Sequence, residues 1–265
     1  MEITETIGFI AALVIGIILG LIGGGGSILT VPVFVYLIHL NPITATAYSL
    51  FVVGVSAFVG AINNIRKGLV SFRTAIVFAI PAFIAVYATR KYLVPIIPDQ
   101  IFSIKEFMIT KEIGIMIFFA IIMLLASISM IRNNKKDSIP KTNVRYNYPI
   151  ILLEGAIIGI LTGIVGAGGG FLIIPALVLL AKLPMKKAVA TSLLIIAIKS
   201  LIGFIGDVEN LEIDWSFLLL FTSISIVGIL IGMYLSNFIE GKKLEKAFGW
   251  FVLVMGIYII VKELT

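Results

Sequence analysis

The chain has 265 residues, of which 60% are hydrophobic and only 13% charged, with a net charge of +6 and no cysteine. Soluble domains average about 45–50% apolar and about 25% charged residues, so these figures exclude a soluble globule and predict an all-α polytopic protein embedded in a lipid bilayer. The lack of cysteine excludes disulfides, thiolate nucleophiles and cysteine-bound metals. No motif asks for a cofactor, a metal ion or nucleic acid.

The opening MEITETIGF lacks the basic stretch of a signal peptide, so the first apolar segment is expected to be retained. Apolar segments follow at 7–22, 27–40, 45–63, 72–94, 112–131, 149–166, 170–182, 188–206, 215–236 and 245–262. Spanning a bilayer takes about 20 apolar residues, within a range of about 17–25. Six segments meet this or nearly so. The other four form two pairs, in which shorter pieces flank a glycine run: LIGGGGSILTVP at 21–32 and IVGAGGGFLIIP at 164–175.

A shift of 143 lays one run on the other, and the match continues without a gap from ATAYSL (45–50) to AVATSL (188–193). Columns 15–60 hold 17 identities in 46, among them Gly16/Gly159, Gly23/Gly166, Gly25/Gly168, Gly26/Gly169, Pro32/Pro175, Ser49/Ser192 and Gly60/Gly203. Two structural repeats are predicted, 1–131 and 149–265, joined by the polar basic stretch 132–148.

Lys and Arg concentrate in cytoplasmic loops. Here they fall in 63–73, 132–148, 182–187 and 237–246, whereas the N-terminus and 207–214 (Asp207, Glu209, Glu212, Asp214) are acidic. If each glycine-broken pair were one span, 132–148 and 182–187 would lie on opposite sides and the acidic loop would be cytoplasmic. If each pair turns back, every basic loop lies inside, both acidic segments outside, and both termini outside. The second arrangement is expected. Charge does not separate a re-entrant hairpin from two full crossings, which have the same parity; the shortness of the second pieces favours the hairpin. Three further spans per repeat make the repeats inverted, a pattern of secondary transporters with broken helices.

The glycine run followed by Val/Ile-Pro, then A-x-A-[TY]-S-L, then a second copy of the whole, resembles the TauE/SafE family of sulfite-exporter-like permeases, over nearly the whole chain. The resemblance implies plasma-membrane transport of small sulfur-containing anions such as sulfite, sulfonates, sulfoacetate or thiosulfate. The first repeat departs from the second at Tyr48, opposite Thr191.

The helix after each glycine run begins with N–H groups that have no partner within the helix, at the positive end of its dipole, and glycine lets an anion approach the backbone. Gly24, Gly25, Gly26 and Ser27 in the first repeat, with Gly168, Gly169 and Gly170 in the second, are therefore candidate anion-binding residues. The bland reading is that they only permit a tight turn and close packing. Ser49, Thr191 and Ser192 supply hydroxyls at matching positions, although such groups commonly bond to backbone or neighbouring helices in membranes. Lys199 falls mid-segment, where an ionisable residue costs about 2.5–3.5 kcal/mol on insertion scales and signals function; its counterpart is Ser56, so the site is asymmetric. Arg66 and Arg73 read as topology residues, His39 as structural, and Gly155, Gly159, Gly163, Gly228 and Gly232 as packing faces.

The expected function is a secondary transporter. A passive anion channel using the same dipoles, or a transporter of another small organic anion, is the alternative. An enzyme is disfavoured, because no H-E-x-x-H or G-x-S-x-G occurs and there is a single histidine. Proton coupling would fall to Lys199, Glu154 or the substrate itself; uniport needs none of them.

Overall fold

The computed structural model describes residues 3–24, 27–98, 100–104, 107–132, 148–165, 170–179, 183–239 and 241–264. The expectations placed on Gly25, Gly26, Gly168, Gly169 and the loop 133–147 lie outside them. The described chain is helical throughout apart from one short ribbon. Its helices are α1 (Ile3–Ile22), α2 (Ser27–Pro32, running into a π turn, Val33–Leu37), α3 (Pro42–Arg66), α4 (Phe72–Ala88, continued by a π turn, Thr89–Leu93, to Ile96), α5 (Lys111–Arg132), α6 (Tyr148–Val165), α7 (Gly170–Leu179), α8 (Met185–Val208), α9 (Trp215–Leu235) and α10 (Gly241–Leu264). Between α4 and α5 lies an antiparallel pair, β1 (Gln100–Ile104) and β2 (Phe107–Thr110). The sequence reading had no strand there: an isolated two-stranded ribbon carries no apolar periodicity of its own to detect.

Among the described residues, four stretches are long and apolar enough to cross a membrane: Pro42–Arg66, Phe72–Ile96, Lys186–Val208 and Trp215–Leu235. Large apolar side chains stand exposed around the perimeter, including Ile76, Ile80 and Ile84 on α4, Leu219, Leu220 and Val227 on α9, and Val254 and Ile257 on α10. So broad an apolar rim is unstable in water and fits lipid chains.

Local signals set the helix ends. Gly23 adopts φ +85° and its N–H reaches back to Leu19 O at 2.8 Å, the left-handed cap that stops α1. Asn41 Oδ1 accepts from Ile43 N at 2.8 Å with Pro42 in the first turn, so α3 begins there. His39, at φ +60°, serves the bend just before it.

Packing reveals direction. A side chain on Gly16 would run into Ser225 O and Gly228, and one on Gly20 into Ile229 O and Gly232, so α1 runs parallel to α9. Ser56 donates to Ser225 Oγ at 3.0 Å and Gly60 faces Ile229, so α3 also runs parallel to α9. Helices α1 and α3 therefore point the same way, and the chain reverses between them at the glycine break. Likewise α6 runs with α4 (Gly155 on Pro81, Gly159 on Ala82 and Ala85, Gly163 on Thr89), as does α8 (Gly203 on Val86, Gly206 on Arg90). Across the middle, α3 and α8 are antiparallel: Leu50 meets Gly203, Gly54 meets Leu201 and Gly60 meets Leu193.

The same shift of 143 organises these contacts. Gly16 on Gly228 is matched by Gly159 on Ala85, and Gly60 on Ile229 and Leu193 by Gly203 on Val86 and Leu50. Asp214 N donates to Tyr48 Oη at 2.6 Å, and its counterpart Ser71 N donates to Thr191 Oγ1 at 2.9 Å. Small residues at these crossings let helix backbones touch, which is how membrane helices gain van der Waals contact without help from water.

Candidate functional site

The two helix breaks meet. A side chain on Gly24 would overlap the backbone of Gly170 and reach within 2.7 Å of Ile196 Cδ1; one on Gly170 would overlap Gly24. Ile196 is at the middle of α8, so the breaks cross at mid-height of that helix. A side chain on Gly23 would come within 2.7 Å of Val189 Cγ1 and 3.3 Å of Ser192 Oγ. Val189, Ser192 and Ile196 are spaced by three and four residues, which puts them on one face of α8, and Lys199 extends the same face by one turn.

Lys199 is fully buried. Its Nζ donates to Thr162 Oγ1 at 2.8 Å, and that hydroxyl donates to Ile158 O at 2.6 Å. Among the described residues no carboxylate lies within ion-pair distance of Lys199. Thr162 belongs to the last turn of α6, the helix that leads into the second glycine run. The negative end of that helix dipole thus lies beside the ammonium and partly offsets its burial. An anion brought to this face would meet a cation that has no competing carboxylate.

The hydroxyls divide by their partners. Ser49 Oγ and Thr30 Oγ1 are buried and have no hydrogen-bond partner among the described residues, so both retain a donor. Ser192 donates to Val189 O at 2.8 Å and serves an anion only after rotating. Thr191 accepts from Ser71 N and ties α8 to the start of α4, just as Tyr48 ties α3 to the start of α9. The Tyr48/Thr191 difference thus preserves a hydroxyl with the same structural task. Ser27 opens α2; its side chain lies outside the described residues. Arg66 and Arg73 are exposed at helix ends. An open groove between α4 and α6, lined by Pro81, Ile84, Ala88, Tyr92 and Ile160, is apolar and offers an anion nothing.

The sequence reading passed over Arg90. It is fully buried, with Nε 3.5 Å from Asp207 Oδ2, and neither Nη has a partner among the described residues. Burying an ion costs several kcal/mol even after relaxation, and a contact this long is an ion pair without a good hydrogen bond. The signal was present, because Arg90 falls inside the apolar segment 72–94. Next to it, Lys91 reaches the exposed Glu209 at 3.1 Å, so the two adjacent cations face different surroundings.

Comparison with known proteins gives the family. The chain is 28% identical over 253 residues to a probable membrane transporter protein of Xylella fastidiosa, covering 93% of this chain and 91% of that one. It is 24% identical over 283 residues to the probable membrane transporter protein YunE of Bacillus subtilis, covering 95% and 97%. With the probable membrane transporter protein MJ0441 of Methanocaldococcus jannaschii it shares 34% identity over 116 residues, 42% of this chain and 43% of that one. No solved structure matches it significantly. The profile of the sulfite exporter TauE/SafE family, a family of membrane transporters, matches residues 8–259, and the chain belongs to that family.

Proposed function

We propose that this protein is a secondary transporter of small sulfur-containing anions, such as sulfite, sulfonates, sulfoacetate or thiosulfate. It works by alternating access between two inverted repeats, 1–131 and 149–265, in the plasma membrane. The observation that carries this reading is the crossing of the two helix breaks at Gly24 and Gly170, with Lys199 on the α8 face that flanks it. Broken helices meeting at mid-depth are where transporters of this architecture bind substrate. The opposed directions of α1 and α6, α3 and α8, and α4 and α9 support the inverted repeat. Donors come from the N–H groups at the starts of α2 and α7, from the Ser49 hydroxyl, from Ser192 after rotation and from Lys199. Because the glycine backbones touch, an anion enters between them only as the two halves move apart, which suits a carrier better than an open pore.

The test is flux in proteoliposomes. Sulfite, sulfate, thiosulfate, sulfoacetate and taurine are offered with and without an imposed proton gradient. Uptake of a sulfur anion is expected, saturable and selective within the set. No movement of any of the five overturns the reading, and fast non-saturable equilibration without selectivity assigns a channel instead.

Sidedness has its own prediction. The wild-type chain has no cysteine, so single cysteines report without background. Lys187→Cys is expected to react with an impermeant maleimide only from the cytoplasm, and Glu212→Cys only from outside. The reverse pattern sinks the proposed orientation and the placing of both termini outside.

A further inference from the structure

We propose that Arg90 forms a second oxyanion-binding site, at the end of the bundle that carries the acidic loop 207–214, and that Asp207 is the internal carboxylate with which an incoming anion competes for the guanidinium charge. This rests on the reading that the chain moves anions. It adds a station between the outer surface and the glycine crossing.

The geometry of the guanidinium comes first. It offers two kinds of edge for bidentate bonding, one through Nε and an Nη and one through the two Nη atoms. Asp207 approaches at Nε, 3.5 Å away. Both Nη atoms are buried and without a partner among the described residues, and Asp207 Oδ2 likewise has no hydrogen bond. The pair neutralises charge but leaves the hydrogen-bonding capacity of both groups unmet. A planar or tetrahedral oxyanion fits the Nη edge and supplies what Asp207 does not. Arg90 also lies in the π turn Thr89–Leu93, a local widening of α4 of a kind found frequently at functional sites.

The other half of the chain provides an internal control. Under the shift of 143, Arg90 corresponds to Met233 and Asp207 to Asn64. There the fold closes without charge. Asn63 Nδ2 donates to Met233 Sδ at 3.7 Å, and Asn64 Nδ2 donates to Gly60 O at 3.1 Å. Neutral side chains therefore satisfy the packing of this position, and packing does not explain why the outer end holds a buried arginine and aspartate.

The surroundings do not repel an anion strongly. Lys91 holds Glu209 at 3.1 Å, and Asp214 is turned to the start of α9, where its Oδ1 accepts from Phe217 N at 3.0 Å. Asp207 and Lys199 lie on the same helix eight residues apart, about 12 Å along α8. An anion leaving Arg90 thus has a second buried cation within one short step, and Asp207 remains to neutralise Arg90 behind it.

Calorimetric titration of the purified full-length chain carrying Lys199→Met, which removes the other buried cation, isolates this site. Sulfite, sulfate and nitrate are the probes. Adding Asp207→Asn is expected to tighten binding at least about threefold by removing the competitor, and adding Arg90→Gln to weaken it at least about tenfold, the scale of a charged hydrogen bond. The combination Arg90→Met with Asp207→Asn copies the neutral closure of the other half. It is expected to keep the thermal midpoint and lose the binding. Unchanged affinity in that combination overturns the proposal, and so does Asp207→Asn weakening binding as much as Arg90→Gln, or no binding of any probe in the Lys199→Met protein. Oxyanion binding that depends on Arg90, in a wild-type protein that carries no sulfur anion across proteoliposomes, leaves this site standing and removes the transport reading.

Discussion

Lys199→Met is expected to cut anion flux at least about tenfold while leaving the folded protein as stable as before or more so. The two effects separate because the lysine costs the fold more than it returns. Its ammonium is fully buried and donates a hydrogen bond to Thr162 Oγ1. Thr162 keeps its own bond to Ile158 O, so the substitution orphans no donor. Methionine fills nearly the volume of the lysine stem, which avoids the cavity that alanine would leave. An ionisable residue at mid-membrane costs about 2.5–3.5 kcal/mol on insertion scales, and that cost disappears. Charge-assisted hydrogen bonds contribute about 1.5–3 kcal/mol, and tenfold corresponds to about 1.4 kcal/mol, so losing the ammonium from a bound anion accounts for a tenfold to hundredfold effect. Proteoliposome flux and the thermal midpoint in detergent measure the two sides. Wild-type flux in the methionine variant takes Lys199 out of the transport path; parallel loss of flux and stability makes it a structural residue.

Much of the architecture could be read from residue spacing. The 143-residue shift seen in glycines and prolines also relates the helix contacts, because a glycine at a backbone crossing is constrained by the helix it touches. Gly16 and Gly159, or Gly60 and Gly203, persist in both halves since each faces the counterpart surface. The reversal at the glycine run followed from loop charge, and the shared direction of α1 and α3 agrees with it. The apolar segment 7–22 returns as the apolar part of α1, Ile7–Ile22; the helix itself runs Ile3–Ile22, about 30 Å at the helical rise, so the return through α2 is the short arm.

What stayed hidden depends on partners far apart in sequence. Thr191 and Ser192 look alike as adjacent hydroxyls, but one is engaged 120 residues away by Ser71 N and the other by its own helix. Nothing in the local sequence separates them. Arg90 is the converse: its type was visible, but its burial depends on Gly206 and Asp207, which only the packing of α8 on α4 brings to it.

Gly24→Ala is expected to cut transport at least about tenfold, because its methyl group has nowhere to go. The added carbon would strike the backbone of Gly170 as well as Ile196 Cδ1. Ile196 can change rotamer, but a backbone cannot give way without moving the start of α7. Overpacking of this kind costs about 1–3 kcal/mol, and here the strain falls on the contact between the two helix breaks. Gly68→Ala is the control. Gly68 has φ +68° and open space around it, so alanine there brings only the left-handed strain of about 1–2 kcal/mol, on a loop away from the crossing. The expected outcome is a modest fall in thermal midpoint with near-normal flux for Gly68→Ala, and loss of flux out of proportion to any fall in midpoint for Gly24→Ala. Equal fluxes in the two variants would mean that the contact between the breaks is not part of the transport cycle, and that the glycines serve only the turn.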